Sequence, residues 1–194
     1  MVKRTFDLIA SFFGLFLVFP VLLIVSVLVA LDSRGPIIFK QQRVGRYGKL
    51  FTMVKFRTMK VKQESSSTVS IKGDKRITRI GAFLRKTKID ELPELWNVLV
   101  GEMSLVGPRP DVEGFADQLQ NESRKILELR PGITGPASLK FANEEALLAS
   151  VDNPERYNRE VIYPEKVKLN LEYYYQQNLM LDIKIIFATI FRKS

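Results

Sequence analysis

The stretch Lys88-Ile89-Asp90-Glu91-Leu92-Pro93-Glu94-Leu95-Trp96-Asn97 sets adjacent carboxylates just ahead of an apolar helical pattern. From these residues alone Asp90 reads as a helix N-cap: acidic side chains are routine there, and Pro93 falls in the first turn, where a missing N–H costs little. Composition adds a second reading. The chain has no His and no Cys, which removes the commonest general base, His-based triads, thiol nucleophiles and most zinc sites. Catalysis then rests on carboxylates, Lys, Arg, hydroxyls and a hard oxygen-liganded cation. A carboxylate at a helix N-terminus sees the positive dipole end, stays ionised and can act as a nucleophile. Glu91 beside it could bind Mg²⁺ or accept a proton. The same helix end attracts phosphate, and Arg85, Arg109 and Arg130 could add bidentate phosphate contacts from neighbouring loops.

The elements that must position this set begin with an uncharged run, Leu8 to Leu31, with Pro20 at its middle. As a straight helix it reaches about 36 Å, enough to cross a hydrocarbon core about 30 Å thick. Charge argues against a crossing. Lys3 and Arg4 precede the run, and the 33–62 stretch that follows holds nine cations and no acid; the positive-inside rule keeps both flanks cytoplasmic. Pro20 lacks an N–H and clashes with the carbonyl of Phe16, so a kink or break there gives a re-entrant hairpin with both ends in one leaflet. A spanning helix with a tolerated proline is the alternative. A secretory signal fits poorly, since the run is long and no small-residue cleavage site follows.

Beyond the run, Pro36–Phe39 and Leu50–Phe56 flank Gly45–Gly48 and read as a β-hairpin. Residues 62–75 read as a mobile loop, Ile77–Arg85 as a helix, and Leu92, Leu95, Trp96 and Leu99 as the buried stripe of a helix stopped by Gly101. Gly107-Pro108-Arg109-Pro110 is a rigid turn. Helices are expected over Val112–Leu129, Asn143–Ala149 and Pro164–Gln177. Leu179–Phe191 reads as an amphipathic helix lying in the headgroup region or docking on the core. The expected fold class is α+β and membrane-associated: a re-entrant unit over 1–34, then a catalytic unit over 35–194 with a small β-hairpin and several helices around the site. The balance of 30 basic against 21 acidic residues, net +9, favours anionic partners.

The runs Ile89–Leu99 and Gly101–Pro110, with Arg130-Pro131-Gly132-Ile133-Thr134-Gly135 and Lys55-Phe56-Arg57-Thr58-Met59, resemble the signature of the bacterial sugar transferase family. The similarity covers nearly the whole chain and resembles the small monotopic phosphoglycosyl transferases. It implies transfer of a sugar-1-phosphate from a UDP-sugar to undecaprenyl (polyprenol) phosphate with release of UMP, as the first membrane step of glycoconjugate assembly. The implied mechanism is ping-pong, with Asp90 as nucleophile and Mg²⁺ at the Asp90–Glu91 dyad. Lys55, Arg57, Arg85, Arg109, Arg130 and Thr134 are the expected substrate and phosphate contacts, and Pro20 the membrane bend. The implied location is the cytoplasmic face of the bacterial inner membrane, against anionic lipids. No nucleic-acid partner is expected, and a homodimer is left open. Phe19 stands where the family commonly has Ser before the hairpin proline, Ala142 where an Arg is frequent, and Glu172 in place of a late Asp. The competing classes are a membrane-tethered basic binding module, with nucleic acid as partner, and a bitopic scaffold. Neither gives the Asp90–Glu91 context a role.

Overall fold

The computed structural model describes residues 2–61 and 76–191. Its first element, α1 (Val2–Asp32), is one helix long and apolar enough to cross a membrane. Pro20 lies inside α1 and does not end it. With apolar residues on both sides and no competing polar groups, the backbone satisfies itself best by resuming the helix. Ser11 donates to the Leu8 carbonyl and Ser26 to that of Leu22, so neither reaches the Phe16 carbonyl that Pro20 leaves. The middle of α1 is bare: Phe16 and Leu17 are each 79% exposed.

Both ends of α1 are tied to the rest of the fold. Near its start Asp7 accepts from the Ser104 hydroxyl at 2.8 Å and the Leu105 N–H at 3.1 Å. Arg4 donates to the carbonyls of Val98 and Leu99. Lys3 donates to the Val106 carbonyl at 3.0 Å and to Asp182 at 2.6 Å. Toward its end Val25 and Val29 pack with Phe56 and Leu84, and Arg57 donates to the carbonyls of Val29 and Ser33.

The hairpin expected around Gly45–Gly48 is present. Strands β1 (Ile38–Val44) and β2 (Leu50–Phe56) pair antiparallel, with Val44 opposite Leu50 and Ile38 opposite Phe56. The expected loop at 62–75 lies outside the described residues. Helix α2 (Arg79–Thr87) starts on a Thr78 side-chain cap. Helix α3 (Glu94–Val100) ends at Gly101, whose φ of +96° suits glycine.

The burial of α3 corrects the expected stripe. Glu94, Asn97 and Val98 are its buried residues, while Leu95 faces Gly14 of α1 and Trp96 is 55% exposed. The polar side is the inner one because β2 meets it there: Asn97 accepts from the Val54 N–H and donates to the Thr52 carbonyl. The apolar stripe turns toward α1 and outward.

A short parallel pair follows, β3 (Ser104–Val106) with β4 (Gly132–Thr134), which the sequence reading missed. It draws the Gly107 turn against Arg130-Pro131-Gly132; a Cβ on Gly107 would lie 2.3 Å from the Arg130 carbonyl oxygen. The helix expected over Val112–Leu129 is instead two 3₁₀ pieces, Ala116–Gln118 and Asn121–Glu128. Gly114 at φ +92° and Asn121 at φ +50° interrupt any longer helix.

Short helices α4 (Pro136–Lys140), α5 (Glu144–Leu148) and α6 (Pro154–Tyr157) lead through a π turn, Asn158–Ile162, into α7 (Tyr163–Gln176). Helix α8 (Leu179–Ile190) docks one face on the core, the second of the two alternatives expected of it. Ile185 packs with Val106, Leu129 and Tyr173, while Met180, Phe187 and Ile190 stay exposed.

Candidate active site

Lys88 adopts a left-handed conformation (φ 59°) and stops α2, so the chain turns sharply into a 3₁₀ turn, Ile89–Glu91, before Pro93 opens α3. Asp90 is therefore not the cap of α3; Pro93 holds that position. The tight turn places Asp90 and Glu91 in the interior, each 8% exposed.

Glu91 is gripped from two sides. Its Oε1 accepts from Lys55 Nζ at 2.9 Å and from Arg109 Nη2 at 2.7 Å. Lys55 also lies 3.0 Å from Glu94 Oε1, so one ammonium bridges two carboxylates. Asp90 is treated differently. Its Oδ1 is buried and has no hydrogen-bond partner among the described residues.

The carboxyls separate electrically. Burial pushes Asp90 upward, the charge of Glu91 adds to that, and Lys55, Lys88 and Arg85 pull back. Burial pushes Glu91 up too, but Arg109, Lys55 and Lys88 outweigh it and hold its carboxyl well below the usual range. Burial raises Glu94, with Lys55 opposing. One carboxylate is thus locked as an anion beside another whose charge is poorly compensated. This arrangement suits a structural anion next to a nucleophile that awaits an electropositive partner.

Of the residues singled out in sequence, Asp90, Glu91, Lys55 and Arg109 meet at this point. Arg85 is close enough to act on Asp90, and it pairs with Glu145 of α5. The others are turned elsewhere. Arg57 is 5% exposed and holds the end of α1. Arg130 donates to the Gly101 carbonyl at 2.9 Å. Thr134 shares a 2.7 Å hydroxyl contact with Thr189. Glu94 was missed as a member of the site, although its spacing from Glu91 on a helical pattern could have flagged it. Arg43 was missed because a strand cation carries no local signal; it lies within reach of Arg109, Asp111 and Glu94.

No group of three or more acidic side chains poised to hold one ion occurs among the described residues. A dedicated protein cage for a metal is therefore absent from them. The bare Asp90 oxygen beside Glu91 does suit Mg²⁺, which usually takes one or two carboxylates, water and substrate phosphates.

Comparison with known proteins adds to this geometry. The exopolysaccharide production protein PSS of Rhizobium leguminosarum bv. phaseoli is 38% identical over 200 residues, covering 98% of this chain and 94% of that protein. The UDP-glucose:undecaprenyl-phosphate glucose-1-phosphate transferase of Escherichia coli (strain K12) is 36% identical, covering 99% of this chain and 40% of that longer protein. The UDP-N-acetylgalactosamine-undecaprenyl-phosphate N-acetylgalactosaminephosphotransferase of Aeromonas hydrophila is also 36% identical, covering 97% and 43%. The bacterial sugar transferase model matches residues 1–193. A family model that spans the chain and relatives that match nearly all of it place the chain in the bacterial sugar transferase family, to which it belongs.

Proposed function

We propose that this protein transfers a sugar-1-phosphate from a UDP-sugar to undecaprenyl phosphate and releases UMP. The observation that carries the reading is the pairing of an unpartnered, buried Asp90 oxygen with a Glu91 held ionised by Lys55 and Arg109. The names of relatives that match nearly the full chain support the substrate classes. The sugar differs between relatives of equal identity, so overall similarity does not choose it.

In this reading an Asp90 carboxylate oxygen attacks the phosphorus bonded to the sugar. The phosphoanhydride bond breaks, its electron pair leaves with UMP, and an acyl phosphate forms that links Asp90 to the phosphosugar. An oxygen of undecaprenyl phosphate then attacks the same phosphorus and Asp90 is freed. One phosphoanhydride replaces another, so little driving force is needed. UMP is a good leaving group, which makes the missing His no obstacle. Lys55 and Arg109 offset diphosphate charge, the main task in phosphoryl transfer. Glu91 orients both cations. Asp90 and Glu91 would hold Mg²⁺, which when bound supplies further charge neutralisation at the phosphates.

The same reading places α1 in the membrane as a re-entrant element and the catalytic part on the cytoplasmic face. The ties at both of its ends support this, because each end is bonded to one folded unit while Phe16 and Leu17 at the middle stay exposed. Exposed Trp96, Phe187 and Ile190 extend the apolar surface. The flanking cations suit anionic lipids. The basic stretch is a weaker argument for nucleic acid than its composition suggests: Arg43, Arg46, Lys55 and Arg57 bond within the fold.

The test is UMP release by detergent-solubilised protein from a panel of UDP-sugars, with Mg²⁺ and undecaprenyl phosphate. Release from at least one donor, lost on removing Mg²⁺, is expected. Silence with every donor overturns the reading. For topology, single Cys probes at Val2 and Lys40 should label from the same side of the membrane; opposite sides would refute the re-entrant placement.

A further inference from the structure

Helices α4, α7 and α8 leave a groove of about 520 Å³ between them, a volume in the range of sites that hold a ligand. Its walls are Pro136 and Leu139 of α4, Leu169 and Tyr173 of α7, and Leu181 and Ile185 of α8. Tyr173 offers its ring, because its hydroxyl is given to Asp182. The base is firm. Leu139, Tyr173, Leu181 and Ile185 belong to the cluster that packs on Val106 and Leu129.

Charge at the opening narrows the occupant. Lys140, the cation there, is paired with Glu165 at 2.6 Å. Glu172 adds an exposed carboxylate, and Gln176 is neutral. Such an opening does not attract a phosphate or a diphosphate. Apolar walls behind it suit an uncharged hydrocarbon chain.

The two ends of the groove say which chain. On α8, Leu181 and Ile185 line it, while Met180, Phe187 and Ile190 are exposed on an adjoining face by helical spacing. That face is part of the apolar surface read above as membrane-facing, so groove and membrane surface share one helix. Exposed Lys184 falls between the two faces, where a lysine stem lies on apolar neighbours and its ammonium reaches headgroups. At the other end, Pro136 follows Gly135, and a Cβ on Gly135 would lie 2.2 Å from the Gly107 carbonyl oxygen. Gly107 opens the turn that brings Arg109 to Glu91. The groove thus runs from the lipid-facing side of α8 toward the backbone that supports the dyad. The acceptor in the reaction above has to bridge the same two places, with its tail in the bilayer and its phosphate at Asp90. We propose, resting on that transferase reading, that the α4–α7–α8 groove holds isoprenoid units of the acceptor's tail and guides its phosphate toward the dyad.

The test compares wild type with Leu169→Trp, which fills the groove, and Leu169→Gln, which makes its wall polar. Three constants are measured: KM for undecaprenyl phosphate, Ki for geranyl phosphate as a short competing acceptor, and Ki for UMP. None depends on the folded fraction, so partial misfolding does not imitate the result. In both variants KM for undecaprenyl phosphate should rise about tenfold, roughly the loss of two buried methylene groups, while both Ki values hold. An unchanged KM overturns the groove assignment. So does an equal weakening of geranyl phosphate, which would move the effect to the phosphate, or a weakened UMP inhibition, which would move it to the donor. Altered self-association by light scattering with KM unchanged would give the groove to a second copy of the chain. Wild-type protein that releases no UMP from any donor overturns the transferase reading itself.

Discussion

Two buried polar clusters among the described residues, the clasp that ties α1 down and the surroundings of the dyad, are finished to different degrees. In the clasp that ties α1 to the fold, every carboxylate oxygen is matched. Asp7 accepts from Ser104 and Leu105, and Asp182 accepts from Lys3 on one oxygen and Tyr173 on the other. Around the dyad, Asp90 Oδ1 and Arg43 Nε are buried and unmatched among the described residues. Burial without hydrogen bonds costs free energy, so the open Asp90 oxygen stands apart from the matched carboxylates of the clasp.

Substitutions can break that contrast. The largest effect is expected from Asp90→Asn, which keeps the shape but removes the proposed nucleophile; UMP release should fall by about a thousandfold or more, with no loss of melting temperature. Glu91→Gln should come next. It removes the charge that holds Lys55 and Arg109, and kcat/KM should drop about a hundredfold, a loss on the scale of one charge-assisted contact. In the clasp, Lys3→Met leaves Asp182 buried with only Tyr173. It should destabilise by about 2 kcal/mol, below the usual figure for a fully buried pair because Lys3 is 30% exposed. Donor KM should not move. A loss of KM instead would join the two clusters into one functional unit.

The smallest effect sharpens the site side. Burial raises the Asp111 carboxyl to about 6, against the pull of Lys166, Arg43 and Arg109. The folded form therefore holds its proton more tightly than the unfolded form. That contribution to stability is full below about pH 4 and is lost as pH rises through 6. Asp111→Asn does not titrate, so relative to wild type it should gain about 1 kcal/mol between pH 4 and pH 7. Melting curves at the two pH values check this.

The site was more legible in sequence than the fold around it. Asp90, Glu91, Lys55 and Arg109 fall in contiguous motifs, and their meeting could be expected from those motifs. Arg57, two residues past Lys55, carried the same local signal, yet it turns to the end of α1; only tertiary packing decides that. The α3 stripe misled because β2 and Lys55 meet Glu94 and Asn97 on the inner side of the helix, and a periodicity argument does not tell which side faces in. The 3₁₀ pieces at 116–128 escaped because helical spacing outvoted Gly114 and Asn121, whose positive φ breaks the run. Glu94 and Arg43 lie on separate elements, α3 and β1, so no spacing rule brings them together.

The central claim is that Asp90 is left open in order to carry the phosphosugar. Incubation with a UDP-sugar labelled at the sugar-bearing phosphorus, with Mg²⁺ and no lipid acceptor, tests it most directly. Label should stay on the wild-type protein, map to the peptide containing Asp90, be absent from Asp90→Asn, and discharge when undecaprenyl phosphate is added. Label persisting on Asp90→Asn, or an unlabelled wild type that still releases UMP once the acceptor is supplied, would contradict it.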